Sequence, residues 1–397
     1  MAQLSDRLNR LAPSATLAMS QKSNEMKAQG IDVINMSVGE PDFNTPEHIK
    51  AAGKKAIDDN YSKYSPVPGY PALRKAIVDK LRRENQLEYT DGEILVGTGG
   101  KQGVCNTVLA LVNPGDEVII PAPYWVSYPQ MVKLAGGEPV VVRAGFEQDF
   151  KMTPEQLEAA ITPRTKMLIL CSPSNPTGSV YSQEELDELA RVILRHEDVF
   201  VLADEIYEHI NYVGKHASIA SYPGMKERTI ICNGVSKAYA MTGWRLGWVA
   251  APEWIVKGIN KLQGQYTSGT CDVSQMAALA AYESSQACVE DMRRAFERRR
   301  NLIVSLAKDI PGLEVNVPQG AFYLFPKCSS FFGKKNGSHV ILNSTDFAMY
   351  LLEVGRVATV AGDAFGDPDC FRMSYATSDD NIREAMRRIK EVTALLK

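Results

Sequence analysis

Lys237, Asp204, Arg245 and Arg372 are far apart in the chain, yet together they offer an amine, a carboxylate and two guanidinium forks. A primary amine can bond to a carbonyl carbon and, once displaced, move a proton as a base. A guanidinium matches the planar carboxylate or the phosphate in a way that an ammonium does not. Gly99-Gly100-Lys101 adds a helix start, where backbone N–H groups suit an anion. Singly, each residue has an ordinary explanation: a surface lysine, an aspartate capping a helix, a glycine pair in a tight turn. What matters is whether the fold brings them together.

The elements that must do so are legible as apolar, β-branched runs at residues 167–171, 199–203 and 229–232, separated by helix-like stretches such as 183–196. That alternation predicts βαβ units and a mostly parallel sheet covered by helices, an α/β fold. In such a sheet the carboxyl ends of neighbouring strands face one crevice. Three loops follow these runs, residues 172–178, 204–207 and 234–247. Upstream, a strand at 94–96 runs into the glycines and a helix follows at 101–111. Residues 273–309 read as a long helical stretch, and 315–325 and 357–360 as strands of a smaller α+β unit. The expected division is an arm and part of the small domain at 1–48, a large domain at 49–290 that carries these loops and a small C-terminal domain at 291–397, with the change between 285 and 310.

Composition excludes several classes. A chain of 397 residues with 45% hydrophobic content can bury a large core, and a net charge of −3 sets up no global field for nucleic acid or an anionic membrane. The seven scattered cysteines lack C-x-x-C spacing, which suits free thiols in a reducing cytoplasm. There is neither a secretory h-region nor a run of the ~20 apolar residues that a membrane helix needs. No two of the five histidines have metal-ligand spacing, so no metal is expected. The arginine run at 293–300 reads as a solvated helix face. Gly97-Thr98-Gly99 does not complete a dinucleotide fingerprint, because Gln102 stands at the sixth position.

In the segment 234–247, Ser236-Lys237 is followed by Gly243-x-Arg245; Asn175-Pro176-x-Gly178, Asp204-x-x-Tyr207, Gly99-Gly100-Lys101 and Phe371-Arg372-x-Ser374 occur elsewhere in the chain. With Pro13-Ser14-Ala15-Thr16 at the start, this order resembles the class I (fold type I) aminotransferases of the aspartate aminotransferase branch, over nearly the whole chain. The resemblance implies pyridoxal 5′-phosphate (PLP) held covalently by Lys237. It implies Asp204 on the cofactor's pyridine nitrogen, Tyr207 and Asn175 on its ring oxygen, and Trp125 stacked on the ring. Gly99, Gly100, Lys101, Ser236 and Arg245 would take the phosphate, helped by Tyr64 of a neighbouring subunit in a homodimer with shared active sites. Arg372, Asn175, Trp125 and Gly39 would meet the substrate's α-carboxylate end.

Ser14, Thr16 and Lys101 match the positions that this branch uses for the distal carboxylate of a dicarboxylic substrate, so the resemblance implies transfer from aspartate to 2-oxoglutarate. Ala12 departs from it: relatives that also accept prephenate carry a lysine there, which argues against prephenate here. Two alternatives use the same cofactor, another fold type I enzyme (an aminotransferase of broader or aromatic specificity, or a lyase) and a non-catalytic regulatory module. A third is an α/β nucleotide-binding protein.

Overall fold

The structure, a computed structural model, describes residues 4–397. Seven strands, β1 (Ile94–Gly97), β2 (Glu117–Ala122), β3 (Glu138–Arg143), β4 (Thr165–Cys171), β5 (Phe200–Asp204), β6 (Thr229–Gly234) and β7 (Gly247–Ala250), form one sheet. Their spatial order is β1, β7, β6, β5, β4, β2, β3. Six point the same way; β7 is antiparallel to both of its neighbours. Both faces are apolar because successive side chains alternate between them. In β4, Met167 and Ile169 join one buried cluster with Val104 and Val108 of the helix Gly100–Leu111. Leu168 and Leu170 join another with Leu186 and Leu189 of the helix Gln183–Leu194. Each fully buried aliphatic side chain stabilises the fold by roughly 1.5–3 kcal/mol. A capping box between Ser182 and Glu185 starts the second of these helices.

A second group of elements packs around Phe296, Phe322, Phe347 and Phe371. It contains a three-stranded antiparallel sheet of Val360–Ala361, Phe371–Ser374 and Tyr323–Leu324, and a parallel pair that joins Ile34–Asn35 to Val357–Ala358. The residues before 49 thus reach the elements after 291 by strand pairing.

Several expected elements differ. The strand at 315–325 shortens to Tyr323–Leu324. Upstream of it Gly320 lies so close to Pro173 that a Cβ would come within 2.6 Å of the proline ring, which seats this stretch on the loop 172–178. The strand at 357–360 splits between two sheets. The helical stretch at 273–309 is two helices, Asp272–Glu283 and Ala287–Lys308. Gln286 ends the first by donating to the carbonyls of Ala281 and Ser284. The second runs unbroken past 290, with Val289 in the cluster around Trp248 and Met292 in the one around Phe322.

The arginine run is not all solvated. Arg299 is buried, gives Asp42 two parallel hydrogen bonds of 2.7 and 2.9 Å and lies over the ring of Phe43. Two of the histidines join a charge cluster behind β5. Lys80 is fully buried and ion-paired to Glu208, which also accepts from Asn85 at 2.9 Å and Asn233 at 2.8 Å. His209 Nε2 lies 2.9 Å from Glu84 and His216 Nε2 3.1 Å from Glu205. Spacing along the chain could not reveal these groupings, since Lys80 and Glu208 come from different elements.

Removing one member of a buried pair strands the other charge. Lys80→Met is expected to cost about 3–5 kcal/mol, read as a lower denaturant midpoint. Adding Glu208→Leu should recover part of it. A double variant no more stable than the single one would mean that pairing is not what makes Glu208 tolerable there.

Candidate active site

The carboxyl ends of five of the six parallel strands, all but the edge strand β3, open onto a cavity of about 300 Å³. Because β7 runs backwards, its amino end meets the same edge, and Arg245, two residues before Gly247, enters the cavity with the loops that leave β5 and β6. Ser14, Thr16, Gly39, Gly100, Lys101, Trp125, Asn175, Asp204, Tyr207, Ser236, Lys237, Arg245 and Arg372 all line it. Gly99 lies just behind, and Tyr64 stands apart, fully exposed.

Lys237 Nζ donates to the Gly39 carbonyl at 2.6 Å and lies 5.8 Å from the centre of the Tyr207 ring. Burial pushes its amine down to about 8; Glu40 and Asp204 oppose that shift, while Arg372 and Arg245 add to it. Asp204 is buried at the end of β5, where burial pushes its carboxyl up to about 6. The Tyr128 hydroxyl opposes this by donating to Oδ2 at 2.7 Å, and the amide of Ile206 donates to Oδ1 at 3.3 Å.

At one end, Gly99 has φ +79°, and a Cβ there would stand 2.5 Å from the Arg245 guanidinium. A Cβ on Gly247 would meet the Gly100 nitrogen at 2.3 Å. Only glycine at both positions lets the guanidinium lie against the first turn of the helix Gly100–Leu111. Helix N-terminus, guanidinium and the Ser236 hydroxyl together suit a dianionic phosphate. At the other end Arg372 is buried. Its Nη1 donates to Asn175 Oδ1 at 2.9 Å and its Nη2 to the Ser37 carbonyl at 2.5 Å. Nε is buried without a partner, a free donor for a carboxylate. Lys101 Nζ stands 4.9 Å over the Trp125 ring, and burial, then Arg245, lowers its pKa. Ser14, the N-cap of the helix Ala15–Ala28, lines the same cavity.

A buried carboxylate, an amine of lowered basicity, an anion cradle and a flanking aromatic ring fit a planar, phosphorylated pyridine aldehyde. Sequence reasoning missed Tyr128, Tyr323 and Cys171, which also line the cavity. Tyr128 follows Trp125 by three residues, a spacing that could have signalled it. Tyr323 sits in the apolar run 321–325 and gave no polar signal.

A family model described as aminotransferase class I and II matches residues 31–389. The aspartate/prephenate aminotransferase of Cereibacter sphaeroides is 50% identical, covering 99% of each chain. A bifunctional aspartate aminotransferase and glutamate/aspartate-prephenate aminotransferase of Petunia hybrida is 46% identical over 99% of this chain and 83% of its own. The crystal structure of the aspartate aminotransferase from Rhizobium meliloti superposes with a TM-score of 0.97 at 44% identity, covering all of both chains. That of Thermus thermophilus with maleate gives 0.93 at 42%, covering 99% of this chain and 100% of that one.

In the cofactor-free protein, Lys237 should be acylated with a pH midpoint near 8, where an ordinary lysine titrates near 10.5. Competitive labelling followed by mass spectrometry reads this residue by residue. A midpoint close to that of exposed lysines such as Lys55 would show that burial does not make its amine the weaker base.

Proposed function

The chain belongs to the class I and II aminotransferases and uses pyridoxal phosphate, and within that chemistry we propose that it moves the amino group of aspartate to 2-oxoglutarate, giving oxaloacetate and glutamate. The observation that carries this substrate is the placement of Lys101, Ser14 and Thr16 on the cavity that Arg372 also lines. Two cationic groups in one cavity suit a substrate with a carboxylate at each end.

When bound, the cofactor supplies an aldehyde that exchanges amino groups and a protonated ring that draws electrons from the substrate's Cα. Lys237 would hold it and, once freed, take and return the proton at Cα; the burial that lowers the basicity of its amine favours that role near neutral pH. Asp204, held by Tyr128, keeps the proton on the ring nitrogen. Asn175 and Tyr207 donate to the ring oxygen, and Trp125 covers the ring face. The amides of Gly100 and Lys101 with Ser236 and Arg245 would take the phosphate, and Gly99, whose own amide donates to the Gly97 carbonyl at 2.9 Å, gives the Arg245 guanidinium room beside them. Arg372 orients the α-carboxylate so that the Cα–H bond faces Lys237, and Gly39 leaves room for the substrate beside it.

The same reading divides the chain into a cofactor-binding unit at 49–290 and a smaller unit of 1–48 with 291–397. It makes the enzyme a homodimer in which Tyr64, fully exposed in one chain, reaches the phosphate of the other. No helix among the described residues is long and apolar enough to cross a membrane.

A second reading adds prephenate as an amino acceptor, favoured by the names of the Cereibacter and Petunia relatives. Ala12, whose amide is tied to Gln130 Oε1 at 2.9 Å, stands against it by offering no cation. Assay of the purified enzyme with aspartate and either 2-oxoglutarate or prephenate separates the readings. Turnover with 2-oxoglutarate that Lys237→Ala abolishes is expected; no turnover with aspartate would overturn the proposal.

Lys101→Ala should lower kcat/KM for aspartate by about one to two powers of ten, the equivalent of roughly 1.5–3 kcal/mol for a lost charge-assisted hydrogen bond. Alanine as donor has no distal carboxylate, so its kcat/KM should hardly change. An unchanged ratio between the two donors would take Lys101 out of the substrate site.

A further inference from the structure

Tyr323 touches three parts of the site at once. It is fully buried, and its hydroxyl lies 2.8 Å from that of Tyr207. Its ring covers the Arg372 guanidinium at 4.6 Å. Its hydroxyl also fills the space beside Gly39, where a Cβ would come within 2.3 Å of it. The strand Tyr323–Leu324 pairs with Phe371–Ser374, so Tyr323 and Arg372 are held on adjacent strands of one small sheet.

Each tyrosine hydroxyl has a single proton. If Tyr207 spends its proton on Tyr323, it has none for the cofactor; if Tyr323 donates, the Tyr207 proton is free to face the cavity. A hydroxyl that accepts a hydrogen bond is also a stronger donor through its own proton. Both tyrosines line the cavity and either hydroxyl could donate; with Tyr207 assigned to the ring oxygen, donation by Tyr323 is the arrangement that leaves the Tyr207 proton for that contact. We propose that Tyr323 is a positioning residue that donates to Tyr207, aims the Tyr207 proton at the cofactor's ring oxygen and, through its ring, supports Arg372 against the substrate carboxylate. This rests on the assignment of Tyr207 to the ring oxygen.

The test is the pH titration of the bound cofactor's absorbance in the holoenzyme, alongside steady-state kinetics. Tyr207→Phe should raise the titration midpoint by on the order of one pH unit, because a donor to the oxygen anion is lost. Tyr323→Phe, which keeps the ring, should raise it by roughly half a unit and leave KM for aspartate nearly unchanged. Tyr323→Leu, which loses the ring as well, should add a rise in KM. In a Tyr207→Phe background, Tyr323→Phe should shift the midpoint no further. If Tyr207→Phe moves nothing, the assignment of Tyr207 fails and the proposal with it. If Tyr207→Phe shifts the midpoint but Tyr323→Phe does not, or if the two shifts simply add, Tyr323 does not act through Tyr207.

Discussion

The cavity gathers Lys101, Lys237, Arg245 and Arg372 around Asp204, the one carboxylate on its wall among the described residues. Four cations in a partly desolvated space repel one another, and burial alone already lowers the basicity of Lys237 and Lys101. Such an arrangement is costly when empty and becomes favourable when anions fill it. In the proposed reading, a dianionic phosphate at the Arg245 end and carboxylates at the Arg372 and Lys101 ends would supply that charge. Ligand binding and folding stability are therefore coupled in this protein through mass action.

Strand direction is what lets the cations meet. Six strands deliver their following loops to one edge, and the reversal of β7 brings Arg245 to the same edge from the opposite chain direction. The close approach of Gly247 to Gly100 then presses the arginine's loop against the first turn of the helix Gly100–Leu111. A side chain at either Gly99 or Gly247 would force these elements apart and move the guanidinium off the anion site.

The loop after β5 works on two sides. Asp204 and Tyr207 face the cavity, while Glu205 and Glu208, one residue further on in each case, point back into the buried charge cluster. Glu205 accepts from Ser218 at 2.5 Å, and Glu208 is fixed by Lys80, Asn85 and Asn233. Asn233 in turn accepts from the amide of Gly234 at 2.7 Å, at the start of the loop that carries Lys237. The carboxylate and the amine of the site are thus tied to a common buried anchor, which limits how far either can drift from the other.

By itself the sequence determined the α/β fold and most of the groups at the site. Strand periodicity marked β4, β5 and β6 within a residue or two, because buried strands need continuous apolar runs, and the polar loops that follow them carry Asn175, Asp204 and Lys237. Tertiary structure alone decided what depends on contacts between distant segments. Tyr128 on Asp204, Tyr323 on Tyr207, Arg299 on Asp42 and Lys80 on Glu208 join residues that local patterning treats as core or surface. The split of 357–360 between two sheets and the break at Gln286 have the same origin. Periodicity records which face of an element is buried; the partner it is buried against is fixed only when the whole chain has closed, because hydrogen bonds and ion pairs depend on distances in space rather than along the sequence.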